Sequence, residues 1–197
     1  MYKEVNTQTG EVTFSIKYLQ GRPRQYRFNG QTGRFNINGV TDVGTTLSIQ
    51  PVAWRIFEEN LFSRGRNETW AEVFFVDEKK ALSSIMFNNS SVNELFNLIE
   101  PLFYDDLQLS DVVLTVTAEK RKNEKVQPAG TWFLAKFEYK PADNQVVTEL
   151  KEFALTNPVY RLDTITSTAV YQVVSDTFAV GYQLPVPVAI PEITTEE

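Results

Sequence analysis

The chain has 197 residues, 42% hydrophobic and 13% aromatic, with a formal net charge of −6 and neither cysteine nor histidine. That apolar fraction supports a sizeable core and excludes global disorder, and the aromatic content leans towards β structure. The missing His and Cys remove the Ser–His and Cys–His pairs, the commonest metal ligands and any disulfide framework, so no enzyme, metal centre or cofactor is expected and a reducing cytoplasm is the expected location.

Residues 1–40 carry a charge of +4, whereas residues 141–197 carry −6. The chain therefore has a basic head and an acidic tail, and where the charge falls matters more than its total. The opening residues, MYKEVNTQTGEV, hold no apolar run of signal-peptide type. No stretch approaches the ~18 to 20 apolar residues that span a bilayer, so a membrane partner is not expected.

Residues 11–19 alternate apolar and polar side chains and read as a strand. A turn at Gly21-Arg22-Pro23 follows, then two Gly-bounded segments, 24–30 and 33–39. Together they read as a basic β-hairpin extension over residues 1–43. From residue 44 the pattern changes. Leu47 and Ile49 share one phase, but Val52, Trp54 and Ile56 are shifted by one, which predicts a β-bulge or sharp bend at Pro51. Residues 59–69 read as a loop, 70–77 and 81–88 as a hairpin. A helix is predicted over 91–100, with Ser91 and Glu94 as its capping box and Val92, Leu95, Phe96, Ile99 and Leu102 at helical spacing. Strands follow at 111–120 and 131–140, joined by a polar loop.

A long bent strand, a hairpin, a helix and two more strands is the order of a five-stranded Greek-key barrel of the OB-fold kind, with its helix between strands 3 and 4. The fold class expected is mainly β, with that domain at 44–140. A helix from about 143 to 155 and further β-prone sequence form a C-terminal extension over 141–184. Residues 185–197 read as a Pro-rich acidic tail.

In such a fold the ligand face lies on the middle strands, flanked by the loops between strands 1 and 2 and between strands 4 and 5. The first loop holds Phe62, Arg64 and Arg66; the second holds Lys120, Arg121, Lys122 and Lys125. Cations reaching phosphates beside aromatic rings are what binding to single strands requires. Val73 and Phe75 are predicted to face the core, Trp70 and Phe74 to face outward, and Trp54 and Arg55 to complete the groove. Arg22, Arg24, Arg27 and Arg34 of the N-terminal hairpin would extend it. The paired acids Asp105-Asp106 and Glu58-Glu59 read as solvated, since nothing nearby completes a metal site.

On this topology and loop chemistry, residues 44–140 resemble the OB-fold single-stranded DNA-binding proteins of phage or mobile-element type. The resemblance implies binding of single-stranded DNA with little sequence specificity, protecting it during replication or recombination, with RNA as an alternative ligand. It also implies homo-oligomers, and an acidic tail (PEITTEE, without a terminal Phe) that recruits replication or recombination proteins. The competing expectation is a phage virion structural or adaptor protein that uses an OB-like barrel for assembly.

Overall fold

The computed structural model describes residues 1–123 and 130–178. It is mainly β, 48% strand against 20% helix. In chain order the elements are β1 (Lys3–Val5), β2 (Val12–Phe14), β3 (Arg24–Asn29), β4 (Arg34–Ile37), β5 (Thr41–Gly44), β6 (Thr46–Ile49), β7 (Pro51–Glu59), β8 (Glu68–Val76), β9 (Leu82–Asn88), α1 (Ser90–Phe96), α2 (Ile99–Tyr104), β10 (Val112–Asn123), β11 (Gly130–Pro141), α3 (Asn144–Thr156) and β12 (Val170–Val174). One sheet has the order β12-β7-β8-β9-β3-β4-β5, a second β11-β10-β6, and β1 pairs with β2 alone. Among the described residues no helix is long and apolar enough to cross a membrane.

The phase change at Pro51 marks where the chain passes from one sheet to the other. β6 pairs with β10, Leu47 opposite Val116 and Ile49 opposite Leu114, whereas β7 pairs with β8. The β7–β8 register slips between Pro51 and Ala53, where a residue lacking an N–H costs the ladder least. Leu47, Ile49 and Ile56 nevertheless share one core with Val73, Phe75, Ile85, Phe87, Val112, Leu114 and Val116. The second neighbour of β9 is β3, running parallel to it, and no closed ring of hydrogen-bonded strands is found among the described residues.

The N-terminal segment is thus more than an appended hairpin. β3 and β4 pair antiparallel inside the large sheet, Tyr26 lies opposite Ile85 of β9, and Phe35 is fully buried beside Phe28. Their alternating aromatic side chains supply the apolar face that a sheet position demands.

The helical segment also departs from its expected form. Asn89 precedes α1 at a positive φ of 49°, and no side-chain cap forms there. Ser91 lies inside the helix, and its Oγ accepts the buried backbone N–H of Ala135 at 3.0 Å, so it ties α1 to β11. Helical structure resumes at Ile99 and runs past Glu100, because Pro101 occupies the first turn of α2, where its missing N–H has no partner to lose. α3 begins where expected, and there Asp143 accepts the N–H groups of Gln145 and Val146.

The outer face of the large sheet is covered by the chain itself. Val52, Ala53, Phe74 and Leu82 pack against Leu150, Phe153 and Ala154 of α3 and against Val159 and Phe178. Phe57, Leu61 and Trp70 pack against Ala169 and Tyr171. At the opposite end of the chain, Glu149 of α3 accepts the backbone N–H of Tyr2, and Lys3 bonds Glu152 at 2.6 Å.

Candidate nucleic-acid interface

The alternation read in β8 is correct, but the exposure inferred from it is not. Ala71, Val73 and Phe75 face the core shared by the two larger sheets, while Trp70, Glu72 and Phe74 face away from it. Trp70 and Phe74 are buried all the same, under residues 159–178. Burying such a side chain stabilises by about 1.5–3 kcal/mol, as much as the ~1 to 3 kcal/mol of stacking a base on it, so the covered state competes fully with an open one. The indole N–H of Trp70 donates to the Glu59 carbonyl.

Arg55 is the clearest correction. It is wholly buried opposite Glu72, with Nε and Nη2 bonded to Oε2 at 2.9 and 2.7 Å. The same guanidinium donates to the carbonyl and hydroxyl oxygens of Thr164 and to the hydroxyl of Tyr171, and lies 4.0 Å from the Phe57 ring centre. All its donors of consequence are used within the fold. Trp54 packs half-buried against the main core.

The loop between β7 and β8 does not present free cations either. Glu68, itself buried, takes Arg64 at 2.7 Å and Arg66 at 2.8 Å. Burial opposes ionisation of this carboxyl, yet hydrogen bonds from Arg66, Asn88 and Arg64 hold it below its ordinary range. Arg64 also sits over the Trp70 ring, whose edge contact is the exposed Phe62. In the N-terminal region Arg24 bonds the buried Asp77, and Arg34 forms an exposed pair with Asp42. Arg22 and Arg27 are exposed.

The β10–β11 ribbon keeps its basic character. β6 pairs with β10 only from Leu114 to Thr117, and beyond Ala118 the remaining strand partner of β10 among the described residues is β11. Lys120, Arg121 and Lys122 lie on this projecting part and are exposed or nearly so; Lys125 falls outside the described residues. Arg121 stands directly opposite Trp132, and directly opposed residues share a face. That face also holds Lys136, with Glu119 between it and Arg121 at 3.4 and 2.7 Å. The side chain of Arg121 is 44% exposed and Trp132 is 39% exposed.

The ribbon is supported from its other side. Phe133 donates its N–H to the Gly30 carbonyl at 2.7 Å, and its ring lies against Gly33. A Cβ on Gly33, which has φ +69°, would come within 2.6 Å of that ring. The β3–β4 turn therefore fixes where the ribbon projects.

Trp132 and Lys136 were not among the expected site residues. A hairpin register centred on the expected loop 121–130 would have paired 119 with 132, two positions from the observed partner, and so have placed Trp132 on the face that Arg121 shares. Among the described residues, no group of three or more Asp or Glu side chains is placed to hold a metal ion. No family model, curated protein or solved structure matches this chain.

Proposed function

We propose that the chain is an OB-like single-stranded nucleic-acid-binding protein whose ligand runs along the β10–β11 ribbon instead of the outer face of β8. The element order supports the OB-like reading: a strand bent at Pro51, a hairpin, helices, then a second hairpin whose first strand returns to β6. The observation that carries the functional reading is Arg121 opposite Trp132 on the projecting ribbon, with Lys120 and Lys122 on its other face and Lys136 on the shared face nearer its base. A tryptophan face accepts any base by stacking, and cations beside it meet the phosphates, giving affinity with little sequence preference. Single-stranded DNA is the ligand proposed, and protection during replication or recombination the role. Fluorescence-anisotropy titration with labelled oligo-dT at low and moderate salt tests this: tight, salt-weakened binding is expected, and its absence at about 50 mM salt would overturn the proposal.

A second reading, a virion structural or adaptor protein, is favoured by one observation: residues 2–18 and 146–178 are spent on covering the outer sheet face. A large regular assembly on a sizing column without nucleic acid would support it.

A further inference from the structure

Between α2 and β12 lies an open groove of about 610 Å³, within the range of peptide and small-molecule clefts. Its walls are Trp54, Leu102, Phe103, Leu155, Val173 and the turn Ser175–Thr177. Phe103 is 74% exposed and Leu155 53% exposed, so the apolar lining continues onto the rim.

Three of the polar side chains in these walls are already engaged, and the exposed carboxylate of Asp176 adds negative charge at the rim. Ser175 Oγ accepts the backbone N–H of Trp54 at 2.9 Å, Thr177 Oγ1 donates to the Val52 carbonyl, and Lys151 is bonded to Asp111 at 2.8 Å. The groove therefore suits an apolar occupant with few hydrogen-bonding groups of its own, not an anion or a polar metabolite.

We propose that this occupant is the chain's own segment 184–191, bound in cis. The described chain ends at Phe178, which is buried and held by its N–H to the Ser175 carbonyl at 3.0 Å, directly beyond the turn that forms one wall. Six further residues reach Leu184, and six extended residues span up to ~20 Å. The segment reads Leu-Pro-Val-Pro-Val-Ala-Ile-Pro, with Leu184, Val186, Val188 and Ile190 at every second position.

Prolines at 185, 187 and 191 remove donors that a dry groove could not satisfy, and they stiffen an extended peptide so that less entropy is lost on docking. Aromatic-lined grooves accept such peptides for these reasons. A short tether also raises the effective concentration of the segment to the millimolar range, which favours it over a free partner of similar affinity. This inference does not depend on the nucleic-acid reading.

Because the chain has no cysteine, the full-length protein allows a clean test by engineered disulfides. Leu155→Cys/Val188→Cys joins the groove to the segment. Val170→Cys/Val188→Cys is the control, since Val170 is 61% exposed, lies at the other end of β12 and does not line the groove. The expected result is an intramolecular disulfide forming roughly tenfold or more faster in the first pair, read on non-reducing gels. Equal rates in the two pairs, or no cross-link in either, would overturn the proposal. A disulfide-linked dimer from the first pair would overturn it by assigning the groove to a second copy.

Discussion

Arg55 and Glu72 face each other across β7 and β8 with both side chains fully buried, and Thr164 closes the pair from above the sheet. The ion pair joins the sheet to residues 159–178, which cover it. Removing one member leaves a buried charge without its partner, a loss of about 3–5 kcal/mol. Glu72→Ala should therefore be strongly destabilising in urea unfolding. The double substitution Arg55→Met/Glu72→Leu should cost far less than the two single changes summed, and strictly additive costs would show that the pair is not coupled.

The covering segment is fastened a second time by Glu59, whose carboxylate accepts the hydroxyls of Thr166 and Thr168. Burial opposes ionisation of Glu59, but these bonds and the Asn60 N–H outweigh it and hold the carboxyl below its ordinary value of 4.5. A depressed folded-state value means that this contribution is present above about pH 4.5 and is lost as pH falls through the lower folded value. The melting temperature of Glu59→Gln should lie below that of the parent at neutral pH, and the gap should close in acid. A gap that stays constant from neutral pH down into that acid range would count against this linkage.

On the ribbon, Trp132→Ala should weaken oligo-dT binding by about 5- to 150-fold, the equivalent of the ~1 to 3 kcal/mol of one stacked base. Lys120→Ala, Arg121→Ala and Lys136→Ala should each make the salt dependence shallower, by about 0.7 in slope for every phosphate the removed cation had neutralised. Arg64→Ala and Arg66→Ala should leave that slope nearly unchanged, because both side chains serve the buried Glu68, whereas the Glu119 beside Arg121 and Lys136 is itself partly exposed and releases them more readily. If the loop arginines carried the slope and the ribbon did not, the interface would have to move to the β7–β8 loop.

Gly33→Ala addresses the support beneath the ribbon. The positive φ and the 2.6 Å approach to Phe133 both oppose a side chain, and the strain expected is about 1–3 kcal/mol. Stability should fall by that amount, and oligo-dT affinity should fall with it as the ribbon shifts. A loss of stability with unchanged affinity would separate the turn from the binding geometry.

Local pattern was legible wherever one residue's environment depends on its near neighbours. The phase change at Pro51, the start of a helix at about 143, and Val73 and Phe75 facing one way with Trp70 and Phe74 the other all follow from short-range periodicity or from a helix end's hydrogen-bonding needs. The burial of Arg55, Trp70 and Phe74 was not legible, since what covers them lies far along the chain, Thr164 standing 109 residues beyond Arg55. Ser91 reads as a cap by spacing, yet it serves Ala135, 44 residues away.

The sequence by itself determined a mainly β chain, the approximate positions of most of its strands and of α3, and two clusters of cations, although Lys120, Arg121 and Lys122 lie on β10 and not on the expected loop. Periodicity and capping are short-range physics, and they survive without knowledge of the fold. Only the tertiary structure decided which of those cations stay open to a ligand. Charge pairing and burial depend on through-space neighbours, and these closed the β7–β8 loop and the sheet face while leaving Arg121 and Trp132 side by side on an exposed ribbon.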